Sequence, residues 1–245
     1  MFLYVNCARA YSLGLKITVV QALDEPRFQM LSEPELDSPI FVEGLPGFGN
    51  VGKTAARLIV EFTHAQVFAE LYSPSFPDYV AVDKTGIAVP PKYDFYTAAL
   101  GKTQFVILSG DAQPSREDVV AHYLLCDSIL DFLAQYNCKF VVTMAGLTTP
   151  KPAGEVYVAA TSADLAAKAV EKGAVLYGGG RILGAAGLLL GLAKIRDWEG
   201  MCLLGSTTGL KADRGAAYSV FKLLMKMFGS DPPPDNLPEE KEHSE

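Results

Sequence analysis

Short apolar runs alternate with helix-period segments through most of the chain. Ile40-Phe41-Val42, Phe105 to Ser109 and Phe140 to Ala145 are continuous runs of strand length, the pattern of strands covered on both faces. Shorter strands are expected at Val67 to Tyr72, Val156 to Ala160, Ala174 to Tyr177 and Met201 to Gly205, with an opening strand at Lys16 to Gln21. Val80 to Val82 and Gly86 to Val89 read as a hairpin-like pair, ended by Pro90-Pro91, which lack backbone donors. Val51, Ala55, Leu58, Ile59 and Phe62 recur at helical spacing to near His64. Val119, Leu124, Ile129, Phe132 and Leu133 mark a long helix to about Tyr136, its start signalled by Ser115 to Asp118 as a capping box. Thr161 with Asp164 is expected to cap a short helix to Lys172, and Asp213 a final helix that includes the amphipathic stretch Tyr218 to Phe228. This alternation predicts an α/β fold: a single doubly wound, mostly parallel sheet flanked by helices.

Length fits one such domain, able to bury roughly 70 to 75% of its unfolded surface. Residues 1–37 read as an N-terminal extension with a possible first strand and a charged connector from Asp24 to Pro39. Residues 38–229 read as the α/β domain, and 230–245 as a disordered acidic tail opened by Pro232-Pro-Pro234. Asn6, Arg9 and Lys16 interrupt the apolar N-terminal run, so no signal peptide is expected, and nothing reaches the length of a membrane span. A cytoplasmic location follows as an expectation. The formal net charge of −7, without any basic stripe, argues against a nucleic-acid partner.

The stretch I-F-V-E-G-L-P-G-F-G-N-V-G-K-T, Ile40 to Thr54, carries the densest candidate chemistry. A strand, a glycine turn and a helix N-terminus in succession can aim unpaired N–H groups at one point and so hold a phosphate. Two motifs overlap there. Gly47, Gly52, Lys53 and Thr54 fit the P-loop spacing, with Lys53 reaching phosphates and Thr54 on magnesium. Gly47, Gly49 and Gly52 also fit the dinucleotide fingerprint, with Glu70 as the acid for a ribose. One loop cannot be both, and a third reading needs no ligand: glycines let a helix cross closely over its strand.

Elsewhere candidate chemistry is thin. Cys7, Cys126, Cys138 and Cys202 lack any C-x-x-C spacing and read as small buried thiols; with His64, His122 and His243 they make no credible metal set. His122 lies in a helical run and reads as satisfied locally. Asp111, at a strand end, is either a magnesium-orienting acid or a turn acid. Ser206 to Thr208 follow a strand without a histidine or a G-x-S-x-G elbow. A second glycine cluster, Gly178 to Gly180, precedes a helix rich in Gly184, Ala185, Gly187 and Gly191. Small residues at that spacing suit close packing on the sheet or a contact between subunits.

Several ordered segments together carry a resemblance that no single loop does: E-G-L-P-G-F-G-N-V-G-K from Glu43, Y-S-P-S-F-P from Tyr72, G-D-A-Q-P from Gly110, G-A-A-G-L-L-L-G-L-A-K from Gly184 and E-G-M-C-L-L-G from Glu199. From about residue 38 to about residue 229 the chain resembles the proteasome assembly chaperone 2 family in its archaeal form. The resemblance implies a fold similar to purine nucleoside phosphorylase without that enzyme's chemistry, no cofactor, and assembly into homo-oligomers. It further implies a chaperone or scaffold role toward proteasome α-subunits, another protein client or a paralogue. Relatives can carry a C-terminal hydrophobic-Tyr-any tripeptide that enters pockets of the α-ring. This sequence departs from that pattern, ending His243-Ser244-Glu245, which leaves docking by the tail an open question. The family has also been labelled ATP-grasp-like, which makes a P-loop-like or ATP-grasp-like nucleotide enzyme the alternative. No acid-lined magnesium site or nucleotide lid is recognisable to support it.

Overall fold

The computed structural model describes residues 23–232 and residue 234. Among the described residues eleven strands and five α-helices follow one another: β1 (Arg27–Met30), β2 (Ile40–Gly44), α1 (Val51–Thr63), β3 (Gln66–Tyr72), β4 (Ala81–Val82), β5 (Ala88–Val89), β6 (Tyr93–Leu100), β7 (Thr103–Gly110), α2 (Val119–Ala134), β8 (Phe140–Thr148), β9 (Val156–Ala160), α3 (Ala163–Glu171), β10 (Val175–Leu176), α4 (Ala185–Ile195), β11 (Glu199–Thr207) and α5 (Arg214–Met227). Nine strands form one sheet in the order β1-β3-β6-β7-β2-β8-β11-β9-β10, while β4 and β5 pair only with each other.

The centre of the sheet, β7-β2-β8-β11, is parallel, and β9-β10 is a further parallel pair. Antiparallel strands extend the centre on both sides, through β6, β3 and β1 on one flank and β9 on the other. Alternation of the side chains divides the core in two. Val42, Ile107, Val142 and Leu203 point to the layer of α1 and α5, which pack on each other through Leu58, Ile59, Val220, Phe221 and Leu224. Phe41, Val106, Leu108 and Val141 point to the opposite layer of α2 and α4, where Ile129, Leu130, Leu133 and Leu189 complete the core. The doubly wound α/β arrangement expected from the run pattern is therefore the fold.

Four local expectations change. The stretch from Asp24 to Pro39, read as a charged connector, contains β1, while the opening strand expected at Lys16 to Gln21 lies outside the described residues. One inward residue is enough to anchor β1: the Phe28 ring stacks on Phe132 at 4.3 Å and leans on Phe95 at 5.7 Å. β6 (Y-D-F-Y-T-A-A-L) went unpredicted because the two prolines before it read as the end of pairing, whereas it begins just after them and buries Tyr93 and Phe95 completely. The Ser115 capping box is not the helix start: Asp118 is the N-cap of α2 and accepts from the Ala121 N–H at 3.0 Å. Likewise Ser162, not Thr161, caps α3, leaving the Thr161 hydroxyl to accept from the Gly200 N–H across to β11.

Candidate functional site

The central strands all end on one edge of the sheet, at Gly44, Gly110, Thr148 and Thr207, and the loops beyond them meet there. That is where an open α/β sheet offers a crevice to ligands. Side chains knit the loops together. Gln113 donates to the Pro46 carbonyl at 2.5 Å and accepts from the Ala185 N–H at 3.1 Å, joining the glycine turn to the start of α4. The Asp213 N–H donates to the Gly49 carbonyl at 2.8 Å, joining the same turn to the start of α5.

Within the turn, Gly47 is extended and exposed with open space around it. Gly49 follows at φ 61° and Asn50 at φ 48°, so the chain passes through two left-handed residues before α1 begins. Side chains occupy the space over Gly49. A β-carbon there would lie 2.8 Å from Thr207 Oγ1 and 3.3 Å from the Asp213 side chain. Thr207 Oγ1 donates to Asp213 Oδ2 at 2.7 Å, and Asp213 Oδ1 accepts from the Ala216 N–H at 3.0 Å. The group facing the turn is thus an aspartate, whose charge opposes a phosphate in the same place.

The remaining motif residues have other partners. Gly52 lies against the Met144 carbonyl of β8, and a methyl group on Gly44 would collide with the Gly52 carbonyl, so these two glycines set the approach of α1 to β2 and β8. Lys53 Nζ sits 3.6 Å from Asp111 Oδ1, with the two side chains 38% and 51% exposed, a solvated surface pair. Thr54 is half-buried on the first turn of α1. Glu70 is remote from the turn. It belongs to β3, and with β6 and β7 between β3 and β2 the separation across the sheet is about 14 Å. There it pairs with Lys92 and accepts from the Tyr72 hydroxyl at 2.8 Å, and these bonds hold its carboxyl below the usual range. The ribose-acid assignment of Glu70 does not survive this placement.

Glu43, the first residue of the glycine-turn motif, is a further acid at this end. Its register neighbours are Leu108, Thr143 and, one strand further, Cys202, and its side chain is buried beneath the α2–α4 layer. One carboxylate oxygen accepts from the Leu45 N–H at 2.9 Å, while the other, like the buried Tyr93 hydroxyl, has no hydrogen-bond partner. Burial dominates over the lowering influence of the Leu45 and Met144 backbone N–H groups and pushes the carboxyl up to about 8, so it is mostly a neutral acid at pH 7. An acid in the fourth position of an otherwise apolar strand, directly before a glycine, is the signal that could have marked it.

Of the four small residues Gly184, Ala185, Gly187 and Gly191, which run from the N-cap of α4 to its middle, three have roles within the chain. Gly184, at φ 75°, precedes the helix beside Gln113; Ala185 is buried; Gly187 lies against the Ile182 carbonyl. Gly191 is exposed with open space above it, beside Lys194 in a shallow groove. Cys126, Cys138 and Cys202 are buried free thiols, as their scatter suggested, and burial raises each of them. His122 is buried on α2. Among the described residues no cluster of three metal-ligating side chains forms, and no helix is long and apolar enough to cross a membrane.

Large apolar side chains stand in solvent around the same edge: Phe48, with the Arg116 guanidinium over its ring at 5.7 Å, Leu183, Leu210, and the stripe Val119, Val120, Tyr123 and Leu124 on the first turns of α2. Such surfaces suit a protein partner better than a small charged ligand.

Comparison with known proteins agrees with this fold. The chain is 34% identical to the solved structure of Pyrococcus furiosus PbaB, an archaeal proteasome activator, with a TM-score of 0.80 over 85% of this chain and 91% of that one. It is 27% identical to P. furiosus PbaA, an archaeal homolog of proteasome-assembly chaperone, with a TM-score of 0.70 over 84% of this chain and 83% of that one. An uncharacterized protein of Methanocaldococcus jannaschii is 34% identical over 195 residues, 78% of this chain and 74% of its own. The family model described as the PAC2 family matches residues 41–245, and the chain belongs to that family.

Proposed function

We propose that the protein is a non-enzymatic, homo-oligomeric chaperone or scaffold whose clients are proteasome α-subunits. The observation that carries the reading is the likeness to PbaB and PbaA over most of the chain, proteins described as a proteasome activator and a homolog of proteasome-assembly chaperone. The crevice at the strand ends supports it: where a nucleotide enzyme would cradle phosphate, this chain seats Thr207 and Asp213, and it presents apolar side chains around the rim. Gly191 and its shallow groove are proposed as one contact surface of the oligomer or of a client.

Native mass spectrometry of the chain, alone and with proteasome α-subunits at micromolar concentration, tests the reading. The expected result is an oligomer of defined mass that takes up α-subunits. A strict monomer that ignores them overturns both parts, and uptake of a paralogue instead would move the client assignment. The nucleotide-enzyme alternative makes an opposite prediction. A ligand at 100 times its dissociation constant adds about 2.7 kcal/mol of stability. Magnesium-ATP is expected to leave the melting temperature unchanged, in the wild type and in Lys53→Ala alike.

A further inference from the structure

We infer that the hairpin β4–β5 is the arm by which one copy of this chain holds another, each arm lying over the groove at the foot of the other. The inference rests on the homo-oligomeric reading above and adds the place of contact. The two strands pair only with each other, Ala81 opposite Val89 and Val82 opposite Ala88, and every residue from 77 to 88 is exposed. The tip is closed by the Asp83 carboxylate, which accepts from the Thr85 and Ile87 N–H groups, so the ribbon is a built element and not a loose loop.

Its side chains fit no role within one chain. Strand alternation puts Val80, Val82 and Ala88 on one face and Ala81, Ile87 and Val89 on the other. Val80, Val82 and Ile87 are 55, 64 and 60% exposed. A two-stranded ribbon is marginal in water and can lay at most one face on its own domain. This one is apolar on both faces. At its foot lies a largely apolar groove of about 450 Å³, walled by Phe76, Pro77, Tyr79, Pro90 and Pro91 with Arg27 as its charged member. Because arm and groove are neighbours, a two-fold axis between two copies gives each groove an arm, the closed arrangement of an isologous dimer.

Charge selects a second copy as the occupant. Each chain carries a formal net charge of −7, so like surfaces repel unless the contact is locally neutral. Over arm and groove together the charged residues are Arg27, Asp78, Asp83 and Lys84, two of each sign, which cancel. The exposed apolar stripe on α2 begins beside Arg116, Glu117 and Asp118, a net negative charge that a two-fold axis through it would double.

The test compares masses by native mass spectrometry and light scattering for the wild type, for Val82→Lys with Ile87→Lys, and for a variant with residues 80–89 replaced by a short Gly-Ser linker. The hairpin lies outside the main sheet, and circular dichroism checks that each variant keeps the fold. The expected result is that both folded variants drop to half the wild-type mass or less. Folded variants that keep the wild-type mass overturn the inference while leaving the oligomer intact. A monomeric wild type overturns the oligomer and its arm together. The linker variant introduces no buried charge, so it decides the matter if the lysine variant fails to fold.

Discussion

At the scale of single residues, two positions beside the glycine turn separate packing from ligand chemistry. Glu43 has its folded-state value raised from 4.5 to about 8, so the folded protein holds the proton more tightly than the unfolded chain. The corresponding stability is fully present below pH 4.5 and is lost as pH rises toward 8, at about 1.4 kcal/mol per unit within that window. Glu43→Gln keeps the shape and removes the titration. Urea denaturation at the two ends of the window is expected to show a smaller loss of stability toward pH 8 in the variant than in the wild type; equal losses would mean Glu43 ionises freely. Gly52 makes a contrast with Gly47. A methyl group on Gly52 meets the Met144 carbonyl, which a packed sheet cannot move, whereas one on Gly47 meets nothing. Gly52→Ala is expected to destabilise by about 3 kcal/mol or more and Gly47→Ala by about 0.5 or less. A phosphate cradle would tie the two glycines to ligand affinity instead, so equal, small effects on stability would favour that view.

At the scale of elements, the helix start at Asp118 gives a third prediction. Asp118→Ala removes the acceptor for the Ala121 N–H and is expected to cost about 1 kcal/mol in chemical denaturation. Ser115→Ala, which loses only a 3.4 Å contact from the Glu117 N–H in an exposed turn, should cost a few tenths. The reverse order would restore the capping box. The example also shows what was legible in the sequence and what was not. Ser115 and Asp118 both satisfy a local rule, and choosing between them takes the path of the chain into the helix, which residue types do not encode. The central strands were legible because burial on both faces leaves a continuous apolar run. β1 and β6 were not, because a flanking antiparallel strand needs only every second residue buried, as Phe28 and the Tyr93–Phe95 pair show. At the candidate site the glycine turn was located from sequence, but its role was not. The groups that fill it, Thr207 and Asp213, come from the far end of the chain, and only the fold brings them there.

At the scale of the whole molecule, charge and apolar surface make opposing demands on any assembly of identical copies, and ionic strength separates them. Each copy brings a formal charge of −7, so association brings like charges together and their repulsion opposes it. That repulsion acts over a Debye length, which shrinks from roughly 20 Å at about 0.02 M salt to roughly 4 Å at about 0.5 M. A contact built from Val80, Val82, Ile87 and an aromatic-proline groove draws on burial of apolar surface, which added salt does not weaken. Raising the salt therefore removes the opposing force and leaves the attractive one. The copies should associate as tightly or more tightly at about 0.5 M than at about 0.02 M salt. Sedimentation equilibrium at the two salt concentrations measures this directly. Dissociation at the higher salt would mean that ion pairs hold the copies together, and would move the interface away from the net-neutral hairpin to a surface that brings acidic and basic side chains of the two copies together.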